Sequence, residues 1–116
     1  TNLAIYRAFV DAKACDVDAV AATLDFAHDA TQSTGNVVHI ADAALAAAEL
    51  LENLGRVDEA AVVITALDRQ PHVFPEIYHR RRQARTRLPA RTRPDRRLTV
   101  DELYDEVRKQ LETLGN

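Results

Sequence analysis

All four prolines of this 116-residue chain fall between residues 71 and 94. That placement constrains the fold more than any other feature. Proline inside a helix removes a hydrogen bond and clashes with the preceding turn, so the stretch before Pro71 is free to be helical almost throughout. It holds 18 of the 20 alanines, and alanine is the best helix former. Its only glycines are Gly35 and Gly55, and glycine is favoured just past a helix end. β-Branched residues are too scattered to mark strands. The expectation is an all-α chain, broken where the glycines stand.

Periodicity predicts four helices before Pro71. The first covers about 2–14, with Leu3, Tyr6 and Val10 on one side. The second covers about 17–33 with Asp16 as N-cap. Val17, Val20, Ala21, Leu24, Ala27 and Thr31 form its stripe, and Asp18, Asp25 and Asp29 the opposite face. The third covers about 37–54, opened by Asn36. It should bury Val37, Ala41, Ala44, Leu45, Ala48 and Leu51 and leave Asp42, Glu49 and Asn53 outside. The fourth covers about 57–68 and should bury Val57, Ala60, Ala61, Ile64 and Leu67. Pro75 suits the first turn of a fifth helix over about 75–88, with Ile77, Ala84 and Leu88 inward. Residues 89–97 have no apolar stripe and read as a linker. Thr99-Val-Asp-Glu102 is a capping box, and Val100, Leu103, Val107, Leu111 and Leu114 follow at helical spacing.

The chain also repeats itself. At one constant offset Ala4 matches Ala44, Ala8 matches Ala48, Val17 matches Val57, Asp18 matches Asp58 and Ala21 matches Ala61. Cys15 then aligns with Gly55. Val100-Asp-Glu-Leu103 opens a helix in the same way a third time. Repeats of this length point to helical hairpins that each bury an apolar face on the next.

Leu50-Leu-Glu-Asn-Leu-Gly-Arg-Val-Asp-Glu-Ala-Ala-Val62 resembles the turn and second helix of a tetratricopeptide (TPR) repeat, in which a glycine closes the first helix and an alanine five residues later packs against it, as Gly55 and Ala60 would. Together with Thr34-Gly-Asn36 before it and Arg97-Leu-Thr-Val-Asp-Glu-Leu103 after it, this resembles the C-terminal helical region of large bacterial signalling ATPases. Those proteins join an ATPase core to helical repeats, often with a LuxR-type DNA-binding or adenylate-cyclase-like domain. The resemblance implies a non-catalytic protein-interaction or scaffolding module from a signalling or transcriptional regulator. Relatives carry an aromatic-rich stretch where this chain has Val37-Val-His-Ile40. No Walker-type glycine-rich loop occurs here, so the ATPase chemistry would lie elsewhere in the parent.

The fold expected is therefore all-α, of stacked antiparallel helical hairpins in the manner of a TPR-like or α-solenoid fragment. Residues 1–70 would form two such pairs, and 71–116 an arginine-rich segment and a C-terminal capping helix on the same domain. Gly35, Gly55, Ala21, Ala48, Ala60, Ala61, Ile64 and Leu67 are expected to carry the architecture. One cysteine excludes an internal disulfide framework and a Cys-based zinc site. No apolar run approaches the roughly 20 residues of a membrane span. A cytoplasmic location is expected, and Thr1, in a chain without methionine, is expected to be a cut or processed end.

Charge is unevenly spread. Residues 1–68 carry net −8, residues 69–97 net +8 with 10 arginines, and residues 98–116 net −3. Arg80, Arg81, Arg82, Arg85 and Arg87 are the candidate partner-binding residues. They scatter around a helical wheel instead of forming one phosphate-tracking stripe, which favours pairing with the chain's own acids or contact with a protein. The alternative is a small nucleic-acid-binding protein using 80–97.

No catalytic, cofactor-binding or metal-ligating residues are assigned. Asp25-x-x-His28 and Glu76-x-x-His79 are each half of a carboxylate-bridged di-metal motif, which Glu49 and Glu52 would have to complete. The preferred reading has His28 at the core edge with a satisfied hydrogen bond and His79 exposed. Cys15 is read as an inert thiol, because adjacent acids oppose thiolate formation. Ser33, the only serine, lies at a helix end and builds no triad.

Overall fold

The computed structural model describes residues 2–35, 38–71 and 75–115, with side chains over 6–35, 39–71 and 75–114. Six α-helices stand among them: α1 (Asn2–Lys13), α2 (Val17–Thr34), α3 (Val38–Asn53), α4 (Val57–Ala66), α5 (Pro75–Arg87) and α6 (Val100–Glu112). A short 3-10 turn over Thr113–Gly115 follows α6. No strand occurs among the described residues, and no helix there is long and apolar enough to cross a membrane.

The helix ends follow the sequence logic. Asp16 caps α2, its side chain accepting from the Ala19 N–H at 3.1 Å. Gly35 closes α2 in the left-handed conformation at φ 73°, its N–H donating to the Thr31 carbonyl. Thr99 and Glu102 form the reciprocal capping box of α6. Asn36 and Val37, expected to open α3, lie outside the described residues, as does the Leu3 side chain.

The turns before α2 and α4 are copies of one another. Cys15 N–H donates to Ala12 O and Asp16 N–H to Asp11 O; at the equivalent positions of the second pair, Gly55 N–H donates to Glu52 O and Arg56 N–H to Leu51 O. Both pairs have the Schellman pattern, in which the residue past the cap is left-handed. That residue is Gly55 at φ 78° and Cys15 at φ 58°. A side chain at such a φ costs roughly 1–2 kcal/mol.

Helix α3 is the axis of the molecule and packs against all five other helices. Ile40 through Ala48 are buried, and so are Leu50 and Leu51. Six of the residues between Ala41 and Ala48 are alanines, so neighbours approach on every side without steric conflict. Burial all round corrects the expectation of a single stripe. It also corrects Asp42, expected outside and found 2 % exposed. The phenol of Tyr6 is raised above its ordinary pKa first by its hydrogen bond to Glu76, and the Asp42 charge adds to the effect.

Two other expectations need correction. The packed side of α1 is Ala8, Phe9 and Ala12, whereas Tyr6 and Val10 are exposed, Val10 by 64 %. The small residues of α1 give the closer approach to α2 and α3. Val57 is 38 % exposed, because it stands at the first position of α4, beside the exposed turn where α3 has already ended. The rest of that stripe, Ala60, Ala61, Ile64 and Leu67, is buried.

Helix α6 lies across α2, α3 and α4, burying Leu103, Val107 and Leu111. A polar seam fixes it to α2. Tyr104 stacks on His28 with ring centroids 4.0 Å apart, and its hydroxyl donates to Asp25 at 2.6 Å. That bond, with partial burial behind it, raises the phenol's pKa. His28 Nε2 lies 2.9 Å from Asp101, which satisfies the core-edge histidine as the preferred reading had it.

Candidate partner-binding surface

The surface is built on α5 and the irregular segment that follows it. Pro75 starts the helix, and Ile77, Ala84 and Leu88 are buried. The remaining positions are mostly polar, so the arginines decide how the helix sits.

Arg80 makes a two-pronged contact with Glu49 of α3, Nε donating to Oε2 at 2.9 Å and Nη2 to Oε1. Its guanidinium also lies 4.4 Å from the Phe9 ring centroid, which joins α5 to α1 as well. Arg87 repeats the two-pronged contact with Glu52, both bonds at 2.9 Å. The hydrogen bonds that each guanidinium donates to its carboxylate raise its pKa.

Arg81 acts differently. It donates to the carbonyls of Leu67 at 2.9 Å and Gln70 at 3.0 Å. Both carbonyls lie just past the end of α4, where carbonyls have no partner within the helix; that of Leu67 also accepts from the Gln70 N–H. Burial lowers the Arg81 pKa. Gln70 in turn donates to Leu98 O at 2.9 Å, and Arg69, left-handed at φ 68°, donates to Asp95 O at 3.2 Å. The segment after α5 is thus tied back onto the end of α4.

Arg85 reaches Asp68 at 3.5 Å. Arg82 lies 5.9 Å from the Tyr78 ring centroid and makes no ion pair among the described residues. Of the five arginines singled out in the sequence, Arg80, Arg81, Arg85 and Arg87 bind this chain's own groups, and Arg82 and Arg85 line a cavity of about 380 Å³ between α4 and the segment after α5. Arg91 and Arg93 line the same cavity. They belong to the charged run, but with no periodicity across 89–97 no pattern in the sequence could aim them at a common point.

The metal motifs come apart. Glu76 accepts from Tyr6 at 2.9 Å, Asp25 from Tyr104, and Glu49 and Glu52 from arginines. Among the described residues no three His, Cys, Asp or Glu side chains gather to hold a metal ion. Cys15 is a free, exposed thiol, and His79 is exposed.

Comparison with protein-family models, with curated proteins and with solved structures gives no match.

Proposed function

We propose that the chain is a non-catalytic protein-interaction module made of TPR-like helix pairs, α1 with α2 and α3 with α4, closed by α5 and α6. In its parent, a cytoplasmic bacterial signalling or transcriptional regulator, it relays contact with a partner to an ATPase core. The observation that carries this reading is the recurrence, at equivalent positions of the two pairs, of the same two turn hydrogen bonds with a left-handed residue at the same place, Cys15 in one and Gly55 in the other. A helical pair used twice, with its turn kept bond for bond, is how repeat modules build a surface for other proteins. The partner is a protein with an acidic patch. Arg82 and Arg85 meet it, and Arg80, Arg81 and Arg87 hold the helix that presents them.

Two measurements test the reading. Labelled DNA and RNA, titrated at near-physiological salt, should show no saturable binding at micromolar protein. Tight binding that weakens steeply with salt and disappears in Arg82→Ala/Arg91→Ala/Arg93→Ala would overturn it in favour of nucleic-acid recognition. The coding sequence around this segment should include a nucleotide-binding loop, and a parent without one would overturn the regulator assignment.

A further inference from the structure

The cavity beside α5 is lined by the apolar Ile64 and Leu88 and by four arginines, Arg82, Arg85, Arg91 and Arg93, with no carboxylate among its lining residues. Arg85 has one acid within reach, Asp68 at 3.5 Å. Arg82, Arg91 and Arg93 form no ion pair among the described residues. Of the other arginines of α5, Arg80 is matched with Glu49 and Arg87 with Glu52, and Arg81 donates to backbone carbonyls. Three arginines of residues 69–97 that form no ion pair among the described residues thus gather at one cavity. Like charges gathered round a low-dielectric lining focus the field into the space between them.

We propose that this cavity binds a small organic anion: one oxyanion head, phosphate or carboxylate, on a compact apolar body. Guanidinium forks match the planar pairs of oxygens on such heads. Ile64 and Leu88 give the body an apolar contact that inorganic anions cannot use. The volume of about 380 Å³ lies within the roughly 300–1,000 Å³ of small-molecule sites. The proposal goes beyond the protein-interaction reading and stands without it, since it rests on the lining of one cavity and not on the repeat.

The probe is 1-naphthyl phosphate, followed by calorimetry and by amide chemical shifts on the intact chain, with 1-naphthol and inorganic phosphate as the two halves of the ligand. One-to-one saturable binding is expected, with each half binding at least about tenfold more weakly than the ester. Arg91→Ala and Arg93→Ala should each weaken binding about tenfold, the usual effect of losing one charge-assisted contact. Ala90→Trp, which puts a bulky ring at an exposed lining position, should abolish it. Arg97→Ala, which removes an exposed arginine outside the cavity, should leave it unchanged. Thermal melts of the variants confirm that each is folded. Absence of saturable binding overturns the proposal. So does inorganic phosphate binding as tightly as the naphthyl ester, which would leave the apolar lining no part. An Arg97→Ala loss equal to that of Arg91→Ala would also overturn it, by reducing the effect to general charge attraction.

Discussion

Cys15 occupies a position that its own repeat fills with glycine, and exchanging it should stabilise the protein. Cys15 has φ 58° and Gly55 φ 78° in equivalent turns. A Cβ built on Gly55 meets nothing within 4 Å, so the difference between the two turns is conformational and not steric. Left-handed backbone costs a non-glycine residue roughly 1–2 kcal/mol. Glycine gives back roughly 0.5–1 kcal/mol through the greater entropy of its unfolded chain. Cys15→Gly should therefore gain about 1 kcal/mol, and Gly55→Ala should lose about as much. In a domain of this size that corresponds to a Tm shift of about 4 °C in each direction. Cys15→Ser keeps the Cβ and should be neutral, which separates backbone strain from any effect of the thiol. Thermal melts followed by far-ultraviolet circular dichroism read all three. If Cys15→Gly proves neutral or destabilising while Gly55→Ala is harmless, neither turn is left-handed in solution, and the equivalence of the two helix pairs fails with it.

Ala60, fully buried where α4 packs on α3, should not tolerate arginine. Overpacking and an unpaired buried charge each cost on the order of several kcal/mol against a total stability of about 5–15 kcal/mol, so Ala60→Arg should abolish the cooperative melt. The Glu102 carboxyl is lowered from 4.5 to about 2, chiefly by Arg96 and then by the Thr99 N–H. Its folded pKa lies below its unfolded one, so its contribution is complete above about pH 4.5 and is lost as pH falls through about 2. Glu102→Gln should thus melt below the parent protein at neutral pH and level with it in strong acid, below the folded pKa. An equal gap under both conditions would refute the assignment of that carboxylate's charge to Arg96.

Most of the helices can be read from the sequence because punctuation and periodicity agree in this chain. Asp16, Gly35, Gly55, Pro75 and the Thr99–Glu102 box each stand where a helix starts or stops, and the first and last turns are where side chains act on the backbone most directly. Helix α3 is harder to read for a physical reason. Binary patterning relies on contrast between apolar and polar residues, and a run of alanines has little. The stripe Ala41, Ala44, Leu45, Ala48 and Leu51 can be found, but nothing in the sequence distinguishes a helix packed on one side from one enclosed on all sides. Asp42 falls on the wrong side of the expectation for that reason. Cys15 is the opposite case: local propensity disfavours it in a left-handed turn, and only the internal repeat, by pairing it with Gly55, points to its backbone.

The arginines show why a charge count locates a site only coarsely. Net +8 beside net −8 predicts attraction without saying which groups meet. In the fold, Arg80 and Arg87 lie two helical turns apart on α5, about 10 Å along its axis, whereas Glu49 and Glu52 lie about 4.5 Å apart along α3. A long, forked side chain can span that mismatch and still make two bonds at each carboxylate, which is a task for arginine and not for lysine. Exposed pairs of this kind contribute little stability, about 0–1 kcal/mol each, so their larger effect is to fix the register of a helix whose only buried anchors are Ile77 and Ala84. With α5 held in that register, Arg82 and Arg85 face away from the acids of α3 and toward Arg91 and Arg93. The pairs that neutralise one side of α5 thereby leave its other side positive, and the cavity forms on that side.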